Sequence, residues 1–81
     1  MVTVYVIESQ YRAYRYVGIT KNVRKRLNQH NSGHSRATKP FAPFKLLLTE
    51  HYRNYTEARV REQFLKSGMG RKYLDSLQMK K

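Results

Sequence analysis

The sequence predicts an α+β fold, a small three-stranded, mostly antiparallel sheet flanked by helices, with the elements in the order β-β-α-β-α-α. Two segments near the N-terminus, 2 to 8 and 14 to 19, are rich in β-branched and aromatic residues, and a connection short enough for a hairpin joins them. Three later segments have the apolar spacing of helices, 21 to 31, 56 to 66 and 70 to 78. The 81 residues are expected to form a single domain over residues 1 to 81.

The first predicted helix follows the hairpin directly. Val23 and Leu27 are four residues apart, so they align in one apolar stripe. Thr20 or Asn22 stands near the position of the N-terminal cap. Gly33 suits the left-handed conformation that ends many helices, and we expect the helix to end just before it.

The second half of the chain begins with a polar loop, 34 to 43, that contains two prolines. The third predicted strand, 44 to 50, is more continuously apolar than the other two, which predicts that it is the central strand. The second helix should begin near Thr56 and break at Ser67 and Gly68. The third helix should pack through its large apolar side chains, Tyr73, Leu74 and Leu77.

The charge balance is the first indication of function. Lys and Arg number 17, Asp and Glu number 5, and the formal net charge is +12. Such a charge favours a polyanion, above all nucleic acid; an acidic membrane surface and a merely solubilising surface are the alternatives. The chain has no cysteine, which excludes disulfides and thiolate metal sites. It has no apolar run of roughly 20 residues and no signal-peptide pattern, so no membrane association and a cytoplasmic location are expected.

Two tyrosines and two basic residues surround the turn from the second strand into the first helix. Tyr5 and Tyr16 are equidistant from the centre of the predicted hairpin, so they should lie opposite each other on one sheet face. Arg26 and His30 are four residues apart and flank the apolar stripe of the helix, so both should border the sheet. A cross-strand aromatic pair, a surface or phosphate-binding arginine and a hydrogen-bonded histidine would also explain them.

The second helix carries a carboxylate among apolar residues. Glu62 shares a helical face with Ala58 and Leu65. A carboxylate in this position needs a cation, so an ion pair with an arginine and a metal ion are both open. The acidic residues do not cluster in the sequence, which argues against two-metal hydrolysis, but one metal with a single carboxylate remains open.

Taken together, these segments resemble the GIY-YIG nuclease superfamily, in particular its small stand-alone bacterial members. TVY at residues 3 to 5 stands where the first tyrosine element would be, and YVG at 16 to 18 matches the second. RKRLNQHNSG at 24 to 33 is similar to the family's arginine helix, and residues 57 to 74 resemble the segment with the metal-binding glutamate. The resemblance covers nearly the whole chain, with the elements in order.

The resemblance implies a role for each of the five residues. Tyr5 would activate the attacking water, directly or as a phenolate, and Tyr16 would position the water or the scissile phosphate. Arg26 would stabilise the pentacovalent phosphorane, and His30 would assist proton transfer. Glu62 would be the protein ligand of one Mg²⁺ or Mn²⁺ ion, with water and phosphate oxygens as the other ligands.

The resemblance also implies the substrate, DNA, and structured, nicked or damaged DNA is expected because the domain carries no appended recognition domain. A monomer or weak homodimer without a small-molecule cofactor is expected. Candidate contacts to the phosphates are the lysines and arginines outside the catalytic set, Lys21, Arg24, Lys39, Lys45, Arg71 and Lys72.

Two departures from the family pattern keep an alternative open, a catalytically decayed basic nucleic-acid-binding module. Thr3 stands where the family usually has glycine, and no asparagine follows Asn54, although many relatives have one after the glutamate. Arg71 or Lys72 would have to replace that asparagine.

Overall fold

The computed structural model describes residues 1–79, and it confirms the α+β class and the element order. The strands are β1 (Val2–Ser9), β2 (Arg15–Thr20) and β3 (Phe44–Tyr52), and all pair antiparallel in one sheet. The helices are α1 (Val23–Asn31), α2 (Tyr55–Lys66) and α3 (Gly68–Met79), with a short 3₁₀ helix at Lys39–Phe41. Within these described residues, none of the helices has the length and apolar character required to span a membrane.

The strand order is β2-β1-β3, so β1 is central, and the prediction that the third strand is central was wrong. The apolar run of β3 has a different cause, a bulge. Val6 pairs with Leu48 and Ile7 with Leu46, which leaves Leu47 as an extra residue. Leu47 and Leu48 therefore both pack against the same core cluster, whereas Leu46 is 44% exposed. The consecutive leucines reflect this shift in register, not burial on two faces.

The sheet is covered on both faces, and the side chains of β1 alternate between them. One face carries Val2, Val4 and Val6, which pack with buried residues of α2 and α3, Ala58, Leu65 and Leu74. The other face carries Tyr5 and Ile7, which pack with residues of α1, β3 and the 3₁₀ helix, including Val23, Leu27, Phe41 and Phe44. The predicted packing of α3 through Tyr73, Leu74 and Leu77 is confirmed.

The register of the first hairpin differs from the prediction by two residues. Tyr5 pairs with Gly18, and Tyr16 pairs with Ile7. The connection is asymmetric because the Ser9 hydroxyl accepts hydrogen bonds from the backbone N–H groups of Tyr11 and Arg12, at 3.4 and 3.1 Å. Side chains alternate with a period of two, so this shift leaves Tyr5 and Tyr16 on the same face.

The caps set the ends of the helices. The side chain of Asn22 accepts a hydrogen bond from Lys25 N at 3.0 Å, and α1 begins at Val23. Asn54 accepts in the same way from Glu57 N at 2.9 Å, so α2 begins at Tyr55. Gly33 has a φ of 81°, as predicted for the residue after α1. The third helix begins earlier than predicted, at Gly68, because Ser67 alone separates it from α2.

Helices α2 and α3 approach so closely that one glycine cannot be replaced without movement. A Cβ atom on Gly70 would lie 2.5 Å from the Cα of Leu65, whereas a Cβ on Gly68 would meet nothing within 4 Å. We expect Gly70→Ala to destabilise the domain by about 1–3 kcal/mol, because it forces the helices apart. The matched control, Gly68→Ala, should be neutral or slightly stabilising. Urea denaturation of both variants checks this; equal midpoints would contradict it.

Candidate active site

Tyr5 lies at the centre of the site, on the central strand. The residue is 1% exposed, and its phenol oxygen is 2.9 Å from Nε2 of His30 on α1. The phenol lies across the neighbouring strand at Gly18, where a Cβ atom would be 2.7 Å from the phenol oxygen and 2.9 Å from the ring of Tyr16. Glycine at this position of β2 therefore permits the close approach of both tyrosines.

Tyr16 lies beside this hydrogen bond. Its ring centroid is 6.2 Å from that of Tyr5 and 4.8 Å from that of His30. Both tyrosines belong to the face of the sheet that α1 covers. The structure therefore brings Tyr5, Tyr16 and His30 together, as the sequence predicted.

Arg26 joins the same group from one turn earlier in α1. Its guanidinium interacts with the phenol oxygens of Tyr5 and Tyr16, and its Nη1 donates a hydrogen bond to Oε1 of Gln29 at 3.0 Å. The pKa of Arg26 is raised, because these interactions outweigh the opposing effect of burial. A cation thus stands next to both phenols.

His30 is fully buried, not at the sheet border where the helical pattern predicts it. Its Nε2 faces Tyr5, and its Nδ1 is 2.8 Å from the Oγ1 of Thr38 in the loop after α1. Sequence reasoning did not identify Thr38, since a threonine in a polar loop has no periodic pattern that would mark it as buried. Both ring nitrogens therefore have partners inside the protein.

The protonation states follow from this burial. Burial raises the pKa of Tyr5 to about 12, although the hydrogen bond with Arg26 opposes the shift. Burial, and then the charge of Arg26, lower the pKa of His30. At neutral pH the site therefore contains a neutral phenol, a neutral imidazole and a guanidinium cation.

Glu62 lies on α2, which packs on the other face of the sheet. Its side chain is 16% exposed, and its carboxylate oxygens are 3.5 Å from Nε of Arg59 and 3.3 Å from Nζ of Lys66. Its negative charge contributes to the raised pKa of Tyr5, so the carboxylate is within electrostatic reach of the phenol. Arg59 and Lys66 are more than half exposed, and ion pairs of this kind contribute little to stability.

Glu62 supplies a single carboxylate, and the side chains paired with it are the cations Arg59 and Lys66. In the part of the chain that the structure describes, no three His, Asp or Glu side chains are grouped as they would be in an all-protein metal site. Mg²⁺ and Mn²⁺ accept a single carboxylate when water and substrate phosphate supply the other oxygen ligands. Glu62 could hold such an ion if the side chains of Arg59 and Lys66 move away from its carboxylate.

All six candidate phosphate contacts are exposed, but they lie in different places. Arg71 lines a cleft of about 310 Å³ between β2 and helices α2 and α3, which Tyr16 and Lys66 also line. Lys21 and Arg24 stand at the start of α1, Lys39 opens the 3₁₀ helix, and Lys72 follows Arg71 on α3. Lys45 lies on β3, at the opposite edge of the sheet from β2, 3.8 Å from Glu8. Arg71 thus shares a cleft with the site tyrosine Tyr16.

Thr3, the departure in the first tyrosine element, is accommodated without disturbing Tyr5. It is 6% exposed, and its Oγ1 is 2.8 Å from Nδ1 of His51 on β3. The hydroxyl is therefore satisfied by the neighbouring strand.

Comparison with known proteins identifies the family of the chain. Residues 1–74 match the family model of the GIY-YIG catalytic domain. A UPF0213 protein of Clostridium perfringens (strain 13 / Type A) is 38% identical over 52 residues, which are 63% of this chain and 56% of that protein. The aligned region thus spans little more than half of that curated relative, and no solved structure matches the chain. The chain therefore belongs to the GIY-YIG family, whose catalytic domain it contains.

Proposed function

We propose that this domain hydrolyses phosphodiester bonds in DNA, using one divalent metal ion and a water molecule activated through Tyr5. The observation that carries the proposal is the buried hydrogen bond of 2.9 Å between the phenol of Tyr5 and Nε2 of His30. A neutral imidazole in contact with a neutral phenol can accept the proton of the phenol, while the phenol accepts one from water. Tyr5 then acts without first becoming a phenolate.

Arg26 and Tyr16 would act on the phosphate. The attack of water increases the negative charge on the phosphate oxygens, and a guanidinium offers two parallel donors to such oxygens. Arg26 already stands beside both phenol oxygens, so its charge is in place before the reaction begins. Tyr16, half-buried at the same point, would position the water or the scissile phosphate.

Glu62 would hold the metal ion, Mg²⁺ or Mn²⁺. A divalent ion bound there would neutralise phosphate charge as the bond to the leaving oxygen breaks. Arg59 and Lys66 pair with the carboxylate in this structure. Both have long side chains that are more than half exposed, so they can turn towards a bound phosphate. Glu62 itself would contribute its charge and two oxygen atoms.

The DNA would be held mainly by its backbone. The formal net charge of +12 favours phosphate contacts, and the cleft with Arg71, Lys66 and Tyr16 gives one strand a place beside the site. We propose structured, nicked or damaged DNA as the substrate, as in DNA repair, with the protein acting in the cytoplasm as a monomer or weak homodimer. The alternative, a decayed nucleic-acid-binding module, is favoured by Thr3 and by the absence of an asparagine after Asn54.

The requirement for a metal ion is tested by measuring cleavage of plasmid and branched DNA with Mg²⁺ or Mn²⁺ and with EDTA. We expect cleavage only with the divalent ion, and a loss on the order of 100-fold or more in Glu62→Gln, because the amide removes the anionic ligand. DNA affinity should not fall in this variant. Glu57→Gln, an exposed carboxylate on the same helix, is the control and should cleave normally. If the wild type cut no DNA with any divalent ion, the binding-module alternative would be preferred.

Arg26 separates an enzyme from a binding module. Arg26→Ala should lower the single-turnover rate by about 10²–10³, because a preorganised charge next to the reacting phosphate is lost. Its DNA affinity should fall no more than that of the control Arg24→Ala, an exposed cation on the same helix. Single-turnover rates and DNA affinities of the wild type and both variants, measured under the same conditions, check this prediction. Equal losses of rate and affinity in Arg26→Ala would assign it to binding alone.

The pH dependence of the cleavage rate should show the protonation of His30. The base must be neutral to accept a proton, and the pKa of His30 is lowered from its ordinary 6.5 by burial and by Arg26. The rate should therefore rise with pH and reach a plateau with a midpoint below 6.5. His30→Gln should reduce the rate by about 10²–10⁴ and remove this midpoint. His34→Gln, an exposed control, should keep it; a midpoint unchanged by His30→Gln would contradict the assignment.

A further inference from the structure

Thr38 is buried in a loop whose neighbouring side chains are exposed. Its exposed fraction is 0%, whereas Ala37 and Lys39 on either side are exposed. Its hydroxyl oxygen lies 2.8 Å from Nδ1 of His30 and 3.4 Å from the backbone oxygen of Ser35. The one polar side chain that this loop buries is therefore in contact with the imidazole of the candidate active site.

The loop holds this hydroxyl in a fixed place. The backbone N–H groups of Thr38 and Lys39 both donate to the oxygen of Ser35, at 3.2 and 2.9 Å. The N–H of Phe41 donates to the oxygen of Thr38 at 2.9 Å, and the ring of Phe41 stacks on Tyr14 with centroids 3.9 Å apart. Thr38 thus belongs to a bonded turn that is packed onto the hairpin.

The partners of Thr38 and Tyr5 determine the direction of the protons. The hydroxyl of Thr38 donates to the backbone oxygen of Ser35 at 3.4 Å, so its oxygen is left to accept from Nδ1 of His30 at 2.8 Å. The proton of the phenol needs an acceptor, and Nε2 of His30 at 2.9 Å provides one. A neutral imidazole carries one N–H, which must then be on Nδ1. Nδ1–H donates to the oxygen of Thr38, and the hydroxyl of Thr38 donates to Ser35.

We propose that Thr38 is a positioning residue that holds His30 in the Nδ1–H tautomer, with the lone pair of Nε2 directed at the phenol of Tyr5. The catalytic consequence rests on the proposed function, because only this tautomer can accept the proton of Tyr5. With the opposite tautomer, Nε2–H would donate to Tyr5 and no base would face it.

A hydroxyl suits this task better than a carboxylate would. The groups that face His30 are Tyr5 from β1, Tyr16 from β2, Phe44 from β3 and Thr38 from the loop, with Arg26 from its own helix. A carboxylate at Nδ1 would also fix the tautomer, but it would favour the protonated imidazole. Thr38 fixes the orientation without adding charge.

The tautomer is measured directly by long-range ¹H–¹⁵N NMR of the histidine rings above pH 7, where His30 is neutral. The signals of His30 are identified by their loss in His30→Gln. We expect the Nδ1–H pattern in the wild type and in Thr38→Ser, which keeps the hydroxyl. The Nε2–H pattern in the wild type would overturn the proposal. This measurement needs no DNA and no cleavage, so it stands apart from any failure of the proposed nuclease activity.

Variants of Thr38 then test whether its hydroxyl controls the tautomer of His30 and the cleavage rate. Thr38→Val has nearly the same shape but no hydroxyl, and we expect part or all of its His30 population to change to the Nε2–H form. Its single-turnover rate on plasmid DNA should fall by at least about 10-fold at unchanged DNA affinity, in the range of general acid–base contributions. Thr38→Ser should stay within about threefold of the wild type. A folded Thr38→Val that retains the pure Nδ1–H pattern, or that cleaves as fast as Thr38→Ser, would show that Thr38 serves the loop alone.

Discussion

The burial of strand β1 on both faces is the constraint on which the rest of the structure depends. Val6 and Ile7 are both 0% exposed although they point to opposite sides of the sheet. A strand of this kind needs a layer on each side, so α1 must cover one face while α2 and α3 cover the other. Every polar side-chain atom on β1 that points inward must then find its partner within one of these layers. Thr3 finds His51, and Tyr5 finds His30.

The few carboxylates of this basic chain are engaged in different ways, and the difference supports the proposal that Glu62 is the metal ligand. Glu50 accepts two hydrogen bonds from Arg61, at 2.8 and 3.1 Å, and Arg61 also lies over the rings of Phe64 and Tyr73. Burial alone would raise the pKa of Glu50, but the bonds from Arg61 and Tyr52 lower it, which marks a structural pair. Glu62 instead pairs with exposed cations of its own helix, which can leave without disturbing the core.

Local periodicity was sufficient to predict the elements and the shared face of Arg26 and His30, because helical spacing is a property of consecutive residues. It was not sufficient to predict the strand order, because the apolar run of β3 arose from a bulge that depends on pairing with β1. The hairpin register depended on Ser9, whose hydroxyl shapes the turn. Thr38 was missed for a related reason. Its burial results from a turn that brings the loop onto α1, and no spacing in the sequence reports such a contact.

The burial that sets the pKa of Tyr5 also determines which kind of base this site can use. A phenol with a pKa of about 12 is ionised in only about one molecule in 10⁵ at pH 7, and forming the phenolate costs roughly 7 kcal/mol. His30 is a weaker base, but at that pH it is mainly in its neutral form, since burial and Arg26 lower its pKa below 6.5. A base must be unprotonated to act, and at neutral pH His30 meets this condition whereas Tyr5 does not. In the proposed mechanism Tyr5 therefore supplies the position, and His30 supplies the basicity. Arg26 serves both, because the charge that would stabilise the phosphate also keeps the imidazole free of its proton.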